Sequence, residues 1–492
     1  MPTLQSRDAR TGEPLGNPIP ETTSEQVDAI ATAAGQAFET WSGSTSNARH
    51  ALLSGLAAAL EHDRKALVEL ADQETALGQA RLNGELDRTA FQLRRFADLA
   101  LQRIPFARVD DPEILGAPPS GHPHMVRQQV PLGPVAMYSA SNFPFAFSVL
   151  GGDTASALAA GCPVVVKAHM GHLLLSQRVF ALAKAVLAQL GLQEGLIGMV
   201  RGRSAGVQLI QHPSIAAGAF TGSISGGTAL QAAANVRPRP IPFYGELGSI
   251  NPVVALPKAV AANGTALASA LASSITQGTG QFCTSPGLII VIDSPENREA
   301  NDSFVASIRD LLSHQPTHAM LTAAMRKSFD KGVENWKQHG AKLLLTTSTV
   351  DGAPRPVLAE VAASDFVTSR ELHEEVFGPA SLVVRASSVD EVLQVLSTVG
   401  GSLTVTVWGA ETETQGIRRM VRVAMSIAGR VLFKGVPTGV AVTAAQQHGG
   451  PWPSSTQPMS TSVGDAALAR FLRPIALQDA PSWLLAMSGK PL

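Results

Sequence analysis

GPVAMYSASNFPFAF (residues 133–147), LGGDTASALAAG (150–161) and CPVVVKAH (162–169) read in succession as a short apolar strand ending in small polar residues, a helix, and a buried strand. Two strands joined through a helix need a crossover connection, which makes the pair parallel. The unit repeats toward the C-terminus. A helix at 172–191 is followed by the strand IGMVRG (197–202), a helix around AGVQLIQH (205–212), the strand IAAGAFTG (215–222), the helix GGTALQAAANV (226–236) and a strand in PIPFYGELG (240–248). Such alternation predicts a doubly wound, nucleotide-binding sheet whose ligands sit beyond the carboxyl ends of its strands.

On the N-terminal side the chain is expected to start with helices. Thr23 and Gln26 have the spacing of a capping box, and residues 48–77 and 80–102 keep a helical period rich in Ala, Leu, Glu and Arg. These helices suit either a separate bundle or the outer layer of the sheet domain. A Pro, Gly and His-rich loop (105–124) and the alternating MVRQQVPLG (125–133) follow. Past residue 248 a second α/β unit is expected, with helices at 263–276 and 302–313 and strands at 287–293, 341–347, 402–409 and 429–433. From FKGVPTGV (433–440) through HGGPWPSSTQPMSTSVG (448–464) to ALARFLRPIALQ (467–478) the chain ends in a Gly, Pro and Ser-rich loop, a short helix and a final apolar strand with no obvious local partner.

The whole chain of 492 residues suits two or three domains. Charged residues are 16% and the net charge is −1, which disfavours nucleic acid and anionic membranes as partners. Two cysteines exclude a disulfide framework, and the polar N-terminus has neither a signal-peptide core nor an anchor, so a cytoplasmic location is expected.

Reactive groups gather in loops after strands. Cys283, in QGTGQFCTSPG (277–287), stands where a helix of small residues gives way to an apolar strand; it is either an exposed reactive thiol or a structural cysteine. Asn142 in SASNFP is placed to donate to an oxyanion or to close an Asx-turn. Glu246 in FYGELGS is a desolvated general base, with its pKa raised, or a salt-bridging carboxylate. Gly222, Ser223 and Gly227 in GAFTGSISGG would let a dinucleotide approach the backbone and the following helix start. Lys167 ends a buried strand within reach of a ribose or phosphate, or is simply solvated. The pair His169 and His172 has metal-ligand spacing without companion ligands, so no metal is expected. His448 could pair with Cys283 as in a cysteine hydrolase, but a histidine in a Gly-rich loop reads as structural, and Cys162 reads as core.

Taken in order, SNFP, VVVKAH, FTGS with a glycine four residues on, ELGS, GQFC and EEVFGP resemble the aldehyde dehydrogenase superfamily. RPRPIPFYGELGSINPV, GQFCTSPGL, PTGV and HGGPWPSST are similar to the branch holding α-ketoglutaric semialdehyde (2,5-dioxopentanoate) and NADP-linked fatty aldehyde dehydrogenases. The resemblance implies an α/β fold with a Rossmann-type cofactor domain (1–246, with 105–130 in an oligomerisation element) and an α/β catalytic domain (247–445). Residues 446–492 would return to the cofactor domain and supply a C-terminal oligomerisation strand, giving a homodimer or homotetramer. By position it implies that Cys283 is the nucleophile, Glu246 the hydrolytic base and Asn142 the oxyanion donor, with Lys167, Gly222, Ser223, Glu375 and Phe377 at the cofactor.

It further implies NAD or NADP as cofactor and oxidation of an aldehyde to its acid, most closely 2,5-dioxopentanoate to 2-oxoglutarate. A fatty or broad-range aldehyde dehydrogenase is the alternative. A coenzyme-A-acylating enzyme fits less well, because Glu246 is present, and so does a non-enzymatic binding protein. Met170 replaces an acidic residue common in relatives, and Arg203 could meet a 2′-phosphate with Lys167, so NADP is expected to be tolerated. Gln277, Thr279 and Ser285 give the nucleophile a more polar setting than the branch pattern, and Arg94, Arg95, Arg103 and Lys434 are candidates to meet a substrate carboxylate.

Overall fold

A computed structural model describes residues 2–102, 106–346 and 353–486. Its first sheet has five strands in the order Ile197–Val200, Val164–Lys167, Val135–Tyr138, Ala217–Thr221 and Phe243–Glu246. Every neighbouring pair is parallel. Val135–Tyr138 comes first in the chain yet sits in the middle, so the strand order reverses between it and Ala217–Thr221 and opens a crevice at their carboxyl ends. Gly161, in the left-handed region at φ 95°, stops the helix Gly152–Ala160 and turns the chain into Val164–Lys167.

The helices Ser46–His62, Arg64–Thr75 and Gln79–Gln102 form the outer layer of this sheet: Leu52, Leu56, Leu60, Leu86 and Phe96 share one core with Val135, Val164 and Ile197. Each such fully buried side chain stabilises the layer by about 1.5–3 kcal/mol relative to exposure. The helix expected over 48–77 is interrupted at Asp63, which leaves helical geometry and pairs with Arg178. The chain does not start with helices. An antiparallel hairpin, Thr3–Arg7 with Pro14–Pro20, precedes the helix Ser24–Trp41, whose Thr23–Gln26 capping box is present.

The second sheet has seven strands, ordered Lys342–Leu345, Val357–Ala362, Ala380–Ala386, Leu288–Ile292, Pro252–Ala255, Ser402–Trp408 and Ala428–Leu432. All pairs are parallel except the first. Alternate side chains of its strands feed separate cores on its two faces, as Val254 and Ile290 on one side and Val253 and Ile289 on the other show. The helix Ala323–Gln338, absent from the sequence reading, packs through Phe329 and Trp336. The final strand, Leu472–Gln478, finds its partner within the chain: it pairs antiparallel with Met125–Pro131, which also pairs with Val109–Asp111. No helix among the described residues is long and apolar enough to cross a membrane.

Candidate active site

Glu246 ends the last strand of the five-stranded sheet, and the turn beyond it is tied to a distant loop. Leu247 N–H donates to Ser454 O at 2.8 Å, and Gly222 N–H donates to Glu246 O at 3.0 Å. The carboxylate itself is buried. Oε1 lies 3.0 Å from His448 Nε2, and Ser462 Oγ donates to Oε2. Burial pushes the Glu246 pKa up, but the His448 charge and the hydrogen bonds from His448 and Ser462 outweigh it, leaving the group below the ordinary carboxylate value. The expected raised pKa is therefore corrected: desolvation is real, and the partners overcome it.

Cys283 follows the helix Pro257–Thr276 and the tight turn Gln277–Gly280. Gly280 is required in that turn, since its φ is 67° and a Cβ there would lie 2.1 Å from Gly378 O. Asn251, left-handed at φ 53° and buried, holds the Cys283 loop from below. Its Nδ2 donates to Cys283 O at 2.8 Å and Ser285 O at 3.0 Å, while Ser249 and Thr404 hydroxyls donate to its Oδ1. The Cys283 side chain is half-buried rather than exposed. Burial, then the Glu246 charge, pushes its thiol well above the ordinary value. Cys283 Sγ lies 3.6 Å from His448 Nε2, so one ring nitrogen faces both the thiol and the carboxylate.

His448 was read as structural from sequence, and the structure places it in the site. Its N–H donates to Thr461 Oγ1 at 2.8 Å, its carbonyl accepts from Ser462 N–H at 2.8 Å, and its Nδ1 finds no hydrogen-bond partner among the described residues. One donor atom each from Glu246, Cys283 and His448 lies within 4.8 Å of the other two. The only sequence signal was HGGPWP itself, a rigid loop carrying an imidazole.

Asn142, buried after the strand Val135–Tyr138, donates from Nδ2 to Gln281 O at 3.0 Å, so its amide stands beside the Cys283 loop. Its second amide hydrogen has no acceptor among the described residues. A cavity of about 600 Å³ opens from here along the carboxyl ends of the five-stranded sheet. Asn142, Lys167, Arg203, Gly222, Ser223, Glu246, Cys283, Glu375 and Phe377 all line it.

Ser223 caps the helix Ile224–Asn235 by accepting from Gly226 N–H at 3.2 Å. Gly226 reaches the cavity where Gly227 was expected; a Cβ on Gly227 would meet Leu247 Cδ2 at 2.2 Å, so that glycine serves helix packing. Burial lowers the Lys167 ammonium pKa, opposed by Glu21, and raises Glu375 to about 7, opposed by a hydrogen bond from the Ser249 backbone. Lys167 is thus half-buried, not a solvated lysine.

Other candidates fall elsewhere. His172 engages Ser176 Oγ and Ala140 O through its two ring nitrogens. Cys162 is fully buried, and burial raises its pKa to about 11. Gln277 is exposed, and Thr279 Oγ1 is spent on His318, accepting from its N–H at 3.0 Å, so neither hydroxyl nor amide addresses the thiol. Arg94 pairs with Glu61 and Arg95 with Asp465, Lys434 is exposed, and Arg103 lies outside the described residues.

The cavity fits a dinucleotide. Its volume is in the range of cofactor pockets, a capped helix start faces it, and the buried Thr221 Oγ1 in its wall has no hydrogen-bond partner among the described residues. The aldehyde dehydrogenase family model matches residues 2–472. The chain is 41% identical to alpha-ketoglutaric semialdehyde dehydrogenase 2 of Azospirillum brasilense over 98% of its own length and 92% of the relative's. It is 39% identical to an alpha-ketoglutaric semialdehyde dehydrogenase of Acinetobacter baylyi over 100% and 94%. In fold it is similar to a 1-pyrroline-5-carboxylate dehydrogenase from Thermus, with a TM-score of 0.81 at 19% identity over 97% of this chain and 90% of that one. A family match over nearly the whole length, on this fold, means that the chain belongs to the aldehyde dehydrogenase family and is an NAD(P)-dependent oxidoreductase acting on aldehydes.

Proposed function

We propose that this enzyme oxidises 2,5-dioxopentanoate to 2-oxoglutarate in the cytoplasm. Identity near 40% over the full length of two α-ketoglutaric semialdehyde dehydrogenases carries the reading. Cys283 Sγ adds to the aldehyde carbon as the thiolate, having released its proton to solvent. Asn142 Nδ2–H and the Cys283 backbone N–H stabilise the oxyanion. Lys167, Gly222, Ser223, Glu375 and Phe377 would hold the dinucleotide, which would supply the hydride acceptor for the substrate carbon. Glu246, kept ionised by His448 and Ser462, takes a proton from water as that water attacks the Cys283 thioester, and the acid leaves. Initial rates on 2,5-dioxopentanoate, succinic semialdehyde, hexanal and benzaldehyde test the substrate: 2,5-dioxopentanoate should give the highest kcat/KM, and equal rates on hexanal would refute it.

NADP is the favoured cofactor in this reading. Met170 leaves no carboxylate to repel a 2′-phosphate at that position, and Arg203 lies exposed at the cavity wall with Lys167 nearby in the same lining. Arg203→Ala should raise the KM for NADP by about 5- to 10-fold, the loss of one charge-assisted hydrogen bond discounted for solvent, and leave the KM for NAD unchanged. Steady-state kinetics with each cofactor decide the point. Residues 1–246 serve as the cofactor domain, 247–445 as the catalytic domain, and 446–492 as the return segment. The three-stranded sheet that includes Leu472–Gln478 and Val109–Asp111 is the assembly element of a homodimer or homotetramer, its outer strands largely exposed. A light-scattering mass of one chain would refute that assembly.

A further inference from the structure

Helix Gln79–Gln102 carries polar residues on a face turned inward: Arg81, Glu85, Arg88 and Gln92 recur at helical spacing. Arg81 is committed. Its Nη2 donates to Asn142 O at 2.6 Å, and its guanidinium lies over the rings of Phe143 and Phe282, the neighbours of Asn142 and Cys283. Glu85 is committed as well, since its Oε1 accepts from the N–H groups of Phe145 and Ala146 at 2.8 and 3.0 Å. Arg88 Nη1 donates to Val440 O; its buried Nε, like Arg81 Nη1, finds no hydrogen-bond partner among the described residues, but among those residues Arg88 has neither the ring contacts nor the close carboxylate that Arg81 has in Glu85. On the other side of the same loop, Arg430 also has a buried Nε without a partner among the described residues, but it spends two donors on the loop, at Gly439 O and Pro437 O, where Arg88 spends one.

Arg88 reaches Val440, which packs in one cluster with Phe143 and Val463; Phe143 meets Phe282, the residue before Cys283, edge to face at 5.1 Å, and Val463 follows the Glu246 partner Ser462, so the guanidinium stands beside the segments that carry the reacting groups. Phe143, Phe147, Val440 and Val442 pack into one apolar cluster beside it. Apolar walls, a nearby thiol and a guanidinium with an unused N–H together suit a short aliphatic chain with an aldehyde at one end and an anion at the other. We propose that Arg88 is the specificity-determining residue that binds the far carboxylate of an ω-oxo acid while its aldehyde carbon meets Cys283. This rests on the substrate reading above, and it replaces Arg94, Arg95 and Lys434, which are paired or exposed.

The test compares wild type, Arg88→Met and Arg88→Lys on 2,5-dioxopentanoate, 5-oxopentanoate and pentanal. Arg88→Met should lose about 10- to 100-fold in kcat/KM on both acids, chiefly through KM, as expected when a charged hydrogen-bond partner is removed. Pentanal turnover should change by less than about 3-fold, and Lys should recover part of the loss on the acids. An equal loss on pentanal would make Arg88 a structural support of Val440 and overturn the proposal; so would an acid preference retained by Arg88→Met. Arg88-dependent turnover of 5-oxopentanoate without turnover of 2,5-dioxopentanoate would sink the substrate reading and leave the Arg88 assignment standing. A wild type with no preference for either acid over pentanal would overturn both.

Discussion

Replacing Cys283 by Ala is expected to lower kcat on any aldehyde by at least about 10⁴-fold, because no other nucleophile can form the covalent intermediate. The fold should survive the change. The loop is held through its backbone by Asn251, at Cys283 O and Ser285 O, and through the Gln281 carbonyl by Asn142, none of which needs the thiol. Steady-state formation of reduced cofactor measures the loss, and a melting temperature near that of wild type separates it from unfolding. Burial and Glu246 hold the free enzyme's thiol well above its ordinary pKa, so the thiolate is scarce at neutral pH and becomes populated only as pH rises. Iodoacetamide should therefore label Cys283 faster as the buffer is made alkaline, and the Ala variant should show no label at that site. Activity within 10-fold of wild type in Cys283→Ala would refute the nucleophile assignment.

Glu246→Gln should produce a different failure. Addition to the aldehyde and hydride departure do not need this carboxylate, so a burst of about one reduced cofactor per site should precede a steady state slowed by roughly 10²- to 10⁴-fold. A full multiple-turnover rate in this variant would remove Glu246 from the hydrolytic step. The pH dependence follows from the direction of its shift. The folded pKa is below the ordinary carboxylate value, so the base form is complete at neutral pH and is lost only as pH falls through that lowered value. Thioester hydrolysis should be flat across neutral pH and decline only in acid. A carboxylate with the raised pKa expected from burial alone would have shown its decline at higher pH.

The difference between those expectations marks what the sequence could tell. Val164, Val165 and Val166 lie between turn residues and before a helical run, so local pattern alone reveals a buried parallel strand. The same pattern puts Asn142, Lys167 and Glu246 at strand ends. The partners of Glu246 carry no such pattern. His448 and Ser462 lie 202 and 216 residues downstream, in a loop whose path is set by backbone bonds to Leu247 and Gly245 rather than by periodicity. The sign of the Glu246 shift depends on these long-range contacts and was out of reach. Asn251 was missed for the same reason: its amide matters only once two loops meet beneath it. The N-terminal hairpin was missed on local grounds, because PLGNPIP has the prolines and glycine of a loop and becomes a strand only by pairing with Thr3–Arg7. The helix Ala323–Gln338 buries little beyond Phe329 and Trp336, too sparse a stripe to read.

The loop that bears His448 and Ser462 reaches Glu246 late in the chain, after both large sheets have been supplied with all their strands. Just past that loop, Ala467, Leu468, Phe471 and Leu472 enter the core of the first sheet. Removing the chain from residue 448 onward would therefore strip Glu246 of both side-chain partners and the sheet of part of its core in one step, so the ionised base and the stability of the domain that carries it depend on the same late segment.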